Sequence, residues 1–265
     1  MYINDLAITS LETITAFDIT TGAYRFTIDE LQNASIAQAQ ETTDITGKQG
    51  RVISTLKKNK TVTVSGTNGL VSGGLLETQT GGTFANKATE VLWADYLTVA
   101  SGEATTSYKA IGTTGAEIEA LYIKNSDGTL GTKLEQGSTA AAGKFAYAPA
   151  TKKLTFHTDV AAGSEVIVYY KRKITADVLD NEASTYSGKL TLYIDALAED
   201  KCGNIYRVQF YIPKADFSGE FTLELGDNQT THAFEAKALA GGCGGNGQLW
   251  SYTVFGSDTA DYVGA

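Results

Sequence analysis

Alternation of apolar and polar residues with a period of two is the feature that most constrains this chain. Residues 190–195 read Leu-Thr-Leu-Tyr-Ile-Asp, residues 206–212 read Tyr-Arg-Val-Gln-Phe-Tyr-Ile, and residues 166–171 read Val-Ile-Val-Tyr-Tyr-Lys. Each pattern is typical of an antiparallel strand with one face in the core and the other facing water. Hydrophobic residues make up 42% of the chain and Pro occurs only twice, so disordered and collagen-like chains are excluded. The sequence predicts an all-β fold.

Further strands are predicted where β-favouring runs are separated by Gly, Asn and Asp residues. Among the turns between them are Asn59-Lys60 and residues 125–128. One helix is predicted over 69–79, because Leu70 and Leu75 lie at helix-like spacing and Asn68 is placed to cap its start. The further predicted strands cover 11–17, 22–29, 34–40, 50–58, 60–66, 89–98, 116–124, 144–148, 152–157, 174–183, 220–225, 230–239 and 248–255.

The charge balance limits the classes of partner. The chain carries 21 basic and 30 acidic residues, for a net charge of −9. Ordinary binding to a phosphate backbone needs an excess of Lys and Arg, so a nucleic-acid-binding protein is disfavoured, whereas a surface that repels DNA is compatible. We expect a soluble protein made in a cytoplasm, since the first residues do not resemble a signal peptide and no apolar stretch approaches about 18 residues.

The two cysteines, Cys202 and Cys243, are too few for a disulfide framework. A reducing compartment is therefore expected, and a single bridge between them stays open.

Composition divides the chain into three regions. Residues 101–171 carry seven basic and seven acidic side chains, and residues 172–265 carry seven and 13. The central region opens with a small, polar stretch and contains its own set of strands. We therefore predict a discontinuous domain built from 1–100 and 172–265, with a small β-sandwich module inserted at 101–171.

The sequence lacks the signals of catalysis. His157 and His232 are the only histidines, and neither lies at metal-ligand spacing from Cys, Asp or Glu. Both are predicted to be surface or turn histidines. Motifs for nucleophilic catalysis and phosphate loops are missing. We predict that the protein is not an enzyme and uses no metal and no organic cofactor.

The segment 45–65 concentrates positive charge in an acidic protein. It reads as a long hairpin with a cationic tip and holds five of the 21 basic residues: Lys48, Arg51, Lys57, Lys58 and Lys60. One interpretation is a solvated turn whose lysines discourage aggregation through strand edges. The other is an interface with an acidic face of a second copy, because opposite charges steer and orient association. The C-terminal third, with a net charge of −6, could supply that face.

Two segments carry a family resemblance. Residues 47–82 resemble the N-terminal half of major tail tube proteins of long-tailed, siphovirus-like bacteriophages. The resemblance includes Thr-Asn-Gly-Leu-Val-Ser-Gly-Gly-Leu-Leu-Glu at 67–77. Residues 206–239 resemble the C-terminal half, where a proline-marked kink, here Pro213, lies between strands. The insert, with its Asp127-Gly128 turn, is similar to phage structural modules. The resemblance covers about 1–100 and 175–260.

This resemblance implies a β-sandwich or barrel with one short flanking helix. It implies that six copies close into a ring and that rings stack into a tube through which DNA passes into the host. Tape measure and tail terminator proteins are the implied partners, the virion tail is the implied location, and no membrane is involved. The hairpin lysines would engage the next ring, and the insert would project outward.

Two other readings stay open. The chain could be an exported adhesin or carbohydrate-binding β-sandwich, with Tyr147, Tyr169, Tyr170 or Trp250 as stacking platforms. It could also be another ring-forming virion part, such as a tail terminator or the inner tube of a contractile tail.

Overall fold

The computed structural model describes residues 5–226, 230–240 and 247–256. These residues form sixteen strands, one α-helix (α1, Gly73–Thr80) and a short 3-10 turn (Lys48–Gly50). The fold is therefore all-β, as predicted. The strands are β1 (Leu6–Asp18), β2 (Tyr24–Ile28), β3 (Leu31–Thr46), β4 (Val52–Asn68), β5 (Ala85–Thr98), β6 (Glu103–Thr105), β7 (Ile118–Lys124), β8 (Leu130–Gly137), β9 (Lys144–Ala148), β10 (Lys153–Phe156), β11 (Glu165–Val178), β12 (Lys189–Asp200), β13 (Ile205–Phe217), β14 (Leu223–Glu224), β15 (Thr231–Ala238) and β16 (Ser251–Gly256).

The chain divides into two units. Met1–Phe84 and Leu179–Ala265 form the first, and Ala85–Val178 form the second. The predicted insert, 101–171, lies inside the second unit. That unit also holds all of β5 and β11, which pair along their whole lengths.

Within the first unit, nine strands form one sheet in the order β2-β1-β12-β13-β15-β4-β3, with β14 beside β15 and β16 beside β13. The sheet curls, so that strands far apart in this order bury side chains in one core. Ile14 of β1, Ile194 of β12, Val64 of β4 and Phe234 of β15 all belong to it. Because the sheet curls, its own strands cover the apolar face that a second sheet covers in a two-layered sandwich.

Strand β13 changes neighbours near Pro213. Its residues 206–211 pair with β16, whereas residues 215–217 pair with β15. Between these stretches the register against β12 shifts, and the Thr191 hydroxyl donates to the Pro213 carbonyl at 3.0 Å. Because proline lacks a backbone N–H, it fits a place where the ladder is interrupted. Pro213 thus marks the point at which the sheet turns.

The second unit is a seven-stranded sheet in the order β5-β11-β7-β8-β9-β10-β6, in which β8 and β9 run parallel. Leu121, Phe145, Leu154 and Val168 are among the side chains of its core. Strand β8 was not predicted, because only Leu134 of its eight residues is buried and the alternation is weak. An unpredicted strand therefore completes this sheet.

A buried carboxylate, Asp95, organises the polar part of that core. It accepts hydrogen bonds from the Tyr170 hydroxyl (2.7 Å), from the backbone N–H and hydroxyl of Ser107 (2.7 and 2.8 Å), and from the Trp93 indole (3.0 Å). Burial alone would raise the pKa of Asp95, but these donors outweigh it and lower the pKa. Asp95 therefore remains charged and holds four groups in place.

The helix α1 confirms the predicted flanking helix but begins later, at Gly73. Ser72, and not Asn68, is its N-cap, and its hydroxyl accepts from the Leu75 N–H. Asn68 is instead the last residue of β4. The helix ends at Gly81, which has a φ of +74° and whose missing Cβ would lie 2.1 Å from the Tyr186 carbonyl oxygen. Both features require glycine at this position.

His232 lies fully buried, which corrects the prediction of a surface or turn histidine. Its Nδ1 accepts the Ser72 N–H at 3.3 Å, and its Nε2 donates to the Gln79 side-chain oxygen at 2.7 Å. Gln79 in turn donates to the Ala233 carbonyl. The neutral ring thus ties β15 to both ends of α1, and burial lowers its pKa.

This bonding predicts acid sensitivity. Below about pH 6.5 the unfolded chain gains a proton that folded His232 does not accept, so the free energy of unfolding falls as the pH falls, by at most about 1.4 kcal/mol per pH unit. Urea unfolding between pH 5 and 7.5 measures this slope. We expect His232→Gln to flatten it, because the variant has no imidazole to protonate on unfolding. Equal slopes in the wild-type and variant proteins would contradict the assignment.

The helix end gives a second prediction. Gly22 also has a positive φ, +69°, but nothing lies within 4 Å of its missing Cβ. Gly22→Ala should cost about 1–2 kcal/mol of stability from backbone strain. Gly81→Ala adds the clash with Tyr186 and should cost about 1–3 kcal/mol more. Thermal and urea unfolding of both variants test the difference, and equal costs would rule out a tight fit at Gly81.

Candidate assembly interface

Strands β3 and β4 extend far beyond the sheet that anchors them. The neighbouring strand β15 pairs with β4 only over residues 62–68. Residues 40–61, called the arm below, form a two-stranded ribbon in which every residue except Gly47 is exposed. At about 3.4 Å per residue, it reaches roughly 30 Å from its base. A ribbon of two strands with no core of its own is marginally stable alone, so it is suited to gaining stability from a partner.

A bulge at Asn59 divides the arm from its base. Ala39 faces Thr61 and Glu41 faces Lys58, so β4 contains one extra residue here. Asn59 has a φ of +50°, and its side-chain amide donates to Glu41 at 2.6 Å. The predicted turn at Asn59-Lys60 is therefore wrong, since β4 runs through it unbroken. A bulge bends the strand and reverses which face successive side chains occupy.

The structure separates the five basic residues into two groups. Lys48 begins the 3-10 turn at the tip and Arg51 follows it. Lys57, Lys58 and Lys60 lie near the bulge, roughly 20 to 30 Å from Arg51 along the strand. Among the described residues none of the five forms an ion pair. The positive charge is thus spread along the arm and is not confined to its tip.

Four aliphatic side chains on the arm are also unburied, a feature that the sequence analysis missed. Ile45, Val52, Ile53 and Leu56 are between 51% and 71% exposed. Their signal was present, because the segment 45–65 that stands out for its basic residues also contains Val52-Ile53 and Leu56. Exposed apolar side chains grouped on one element mark an interaction site more often than isolated ones do.

Charge is segregated between the arm and the rest of the chain. The first unit holds 20 acidic and 11 basic residues, whereas the second holds ten of each. The arm contains five of those 11 basic residues and two of the 20 acidic ones, Glu41 and Asp44. Its net charge is +3, and the remainder of the first unit carries −12. The arm of one copy is therefore electrostatically complementary to the body of another.

The outward faces of the curled sheet differ in chemistry. On β3 and β4 this face carries small side chains, and the hydroxyls of Ser35 and Ser65 lie 3.0 Å apart. On β1, β12 and β13 it carries aromatic rings: Tyr193 packs edge-on against Phe17 at 5.7 Å and lies 5.0 Å from Tyr211. The face on β3 and β4 thus carries small side chains with hydroxyl groups. The face on β1, β12 and β13 carries aromatic side chains, which are enriched in protein–protein interfaces.

The residues considered for other functions are mostly unavailable. Tyr170 is fully buried and Tyr147 nearly so, with its hydroxyl accepting from the Ala110 N–H, so neither is a stacking platform. Cys202 is exposed in the turn after β12 and is a free thiol, and Cys243 lies outside the described residues. In the part of the chain described, there is no group of three His, Cys, Asp or Glu residues that could hold a metal, and no helix long and apolar enough to cross a membrane.

Comparison with known families decides the class of protein. The YomU/Tube protein family matches residues 6–251, which is nearly the whole chain. The chain belongs to this family. Membership indicates a phage tube-like structural protein and a component of the virion tail. The match includes both units and the arm. No curated protein matches the chain.

Proposed function

We propose that this YomU/Tube protein is the subunit of the tail tube of a long-tailed, siphovirus-like phage. Copies would close into rings, six to a ring as in the tail tube proteins that the sequence resembles, and the rings would stack into a conduit for DNA. The observation that carries this proposal is the arm, a cationic and partly apolar ribbon whose side chains remain exposed in the described part of the chain. Tape measure and tail terminator proteins would be its partners during assembly.

Contacts within a ring would use the free sheet edges. Strands β2 and β3 lie at the two ends of the sheet order, so each has one side that pairs with no other strand among the described residues. An isolated sheet with long open edges invites pairing with another chain, and closure into a ring removes the edges. The aromatic face around Tyr193 offers additional contact area between neighbours.

Passage of DNA would depend on repulsion and not on binding. The body of the first unit carries a net charge of −12, which disfavours contact with phosphates. The hydroxylated face on β3 and β4 suits a wetted channel wall, because Ser and Thr bind water without presenting a positive charge. The second unit, which is uncharged overall, would project outward from the tube. A structural role of this kind needs no catalysis, metal or cofactor.

Charge reversal on the arm tests the proposal. The triple variant Lys57→Glu, Lys58→Glu, Lys60→Glu should fold normally, because all three side chains are exposed. We expect tube length, measured by negative-stain electron microscopy of the protein incubated at high concentration, to fall by roughly tenfold. For comparison, a tenfold fall in the equilibrium constant for adding one ring corresponds to about 1.4 kcal/mol over the whole ring-to-ring junction. Raising the salt concentration should shorten wild-type tubes in the same way, since exposed charges are screened.

A matched control tests whether the position of the reversed charges shortens the tubes, or only the change in net charge. Lys109, Lys133 and Lys144 are exposed in the second unit, and their reversal changes the net charge by the same amount. This control should form tubes of wild-type length. Normal tubes from the arm variant, or equal losses in both variants, would contradict the proposed role of the arm. A wild-type protein that never forms rings or tubes and instead binds glycans would contradict the tube function itself.

A further inference from the structure

An open apolar groove lies within the first unit, on the inner side of its curled sheet. It has a volume of about 710 Å³ and is lined by residues of β1 and β3, among them Leu11 and Ile36, and by Phe210 and Trp250. No charged side chain lines it. Its mouth is marked by Gln38, whose side chain accepts a hydrogen bond from the Trp250 indole at 3.2 Å.

One face of the arm is apolar near its tip, as the groove is. Ile45 lies opposite Ser54, and Leu56 is two residues along the same strand from Ser54. Side chains in this diagonal relation share one face of a ribbon and lie within reach of each other. Lys58 is on the same face, one step further toward the bulge. The arm thus presents two half-exposed aliphatic side chains followed by a cation.

Charge at the rim of the groove favours this face. Glu12 accepts a hydrogen bond at 2.7 Å from the hydroxyl of Ser10, which lines the groove. Asp29 and Glu30 immediately precede Leu31, which also lines it, and these three acidic residues are called the rim. The strands β1 and β2 and the part of β3 that lines the groove contain one basic residue, Arg25, which is ion-paired with Asp18 at 3.0 Å. An apolar groove with an acidic rim is therefore complementary to an aliphatic face with an adjacent lysine.

A chain cannot place its own arm in its own groove. Strand β3 lines the groove from Leu31 to Gln38 and then continues directly into the arm as the same strand. Its pairing with β4 is interrupted there only by the single-residue bulge. The ribbon would have to fold back on itself, which would break that pairing. Any arm in the groove must come from a second copy.

From these observations we infer that the groove receives the Ile45 and Leu56 face of the arm of a second copy, with Lys58 directed to the acidic rim. This inference rests on the proposed function and names the surface that the arm engages. The contact joins two different surfaces, so each copy can give one arm and accept another. Such a contact repeats without limit along one direction, as a growing tube requires.

Cross-linking between copies tests the inference. In a background with Cys202→Ser and Cys243→Ser, the double variant Leu56→Cys with Gln38→Cys places one thiol on the arm and one at the groove mouth. A short bis-maleimide added to assembled protein should give a ladder of covalent oligomers on a denaturing gel. The matched control pairs Leu56→Cys with Ala37→Cys, which is the neighbouring residue on β3 and points to the opposite face of the sheet.

The outcomes separate this inference from the function on which it rests. A ladder from the Gln38→Cys protein that is at least tenfold stronger than from the Ala37→Cys protein supports the groove as acceptor. Tubes that form normally but give no ladder, or ladders of equal strength, overturn the inference and leave the tube function standing. A cysteine-free parent that keeps its unfolding temperature but never assembles at high concentration overturns both.

Discussion

The pairing of β3 with β4 is the interaction on which the rest of the structure depends. Its inner half is one wall of the core and is held in place by β15. Among the described residues no other strand pairs with its outer half, so the direction of the arm is set by the inner half. One continuous ladder therefore connects the rigid body to the element that we propose contacts other copies. Strain or disorder at the base would be transmitted along the whole ribbon.

The separation of the basic arm from the acidic remainder of the first unit bears on how two copies would be oriented. If the five basic residues of the arm were scattered over the first unit, every surface of the body would be moderately acidic and copies would repel one another in all orientations. In the proposed assembly, concentrating them on one ribbon would make a single relative orientation favourable. Apolar contact would then supply short-range affinity, because the aliphatic side chains of the arm are exposed in the single chain.

The strands were predictable where alternation was strong, and the errors have local causes. Asn59 reads as a turn residue, but a bulge uses the same positive φ without ending the strand. His232 follows threonines on an apparently ordinary strand, and the contacts with α1 and Phe221 that accompany its burial are not visible in the strand pattern. The basic residues of the arm were visible in the sequence. The groove was not, because Leu11, Ile36 and Trp250 meet only when the sheet curls.

The chain enters and leaves the second unit at two residues that lie side by side. Ala85 and Val178, its first and last residues, face each other as a cross-strand pair. A short turn could join these two positions without moving the strands on either side. We therefore propose that the second unit is an exchangeable insertion, which a lineage could gain, lose or replace in one recombination event while the first unit keeps its sequence. Variation among relatives should accordingly concentrate between these two residues.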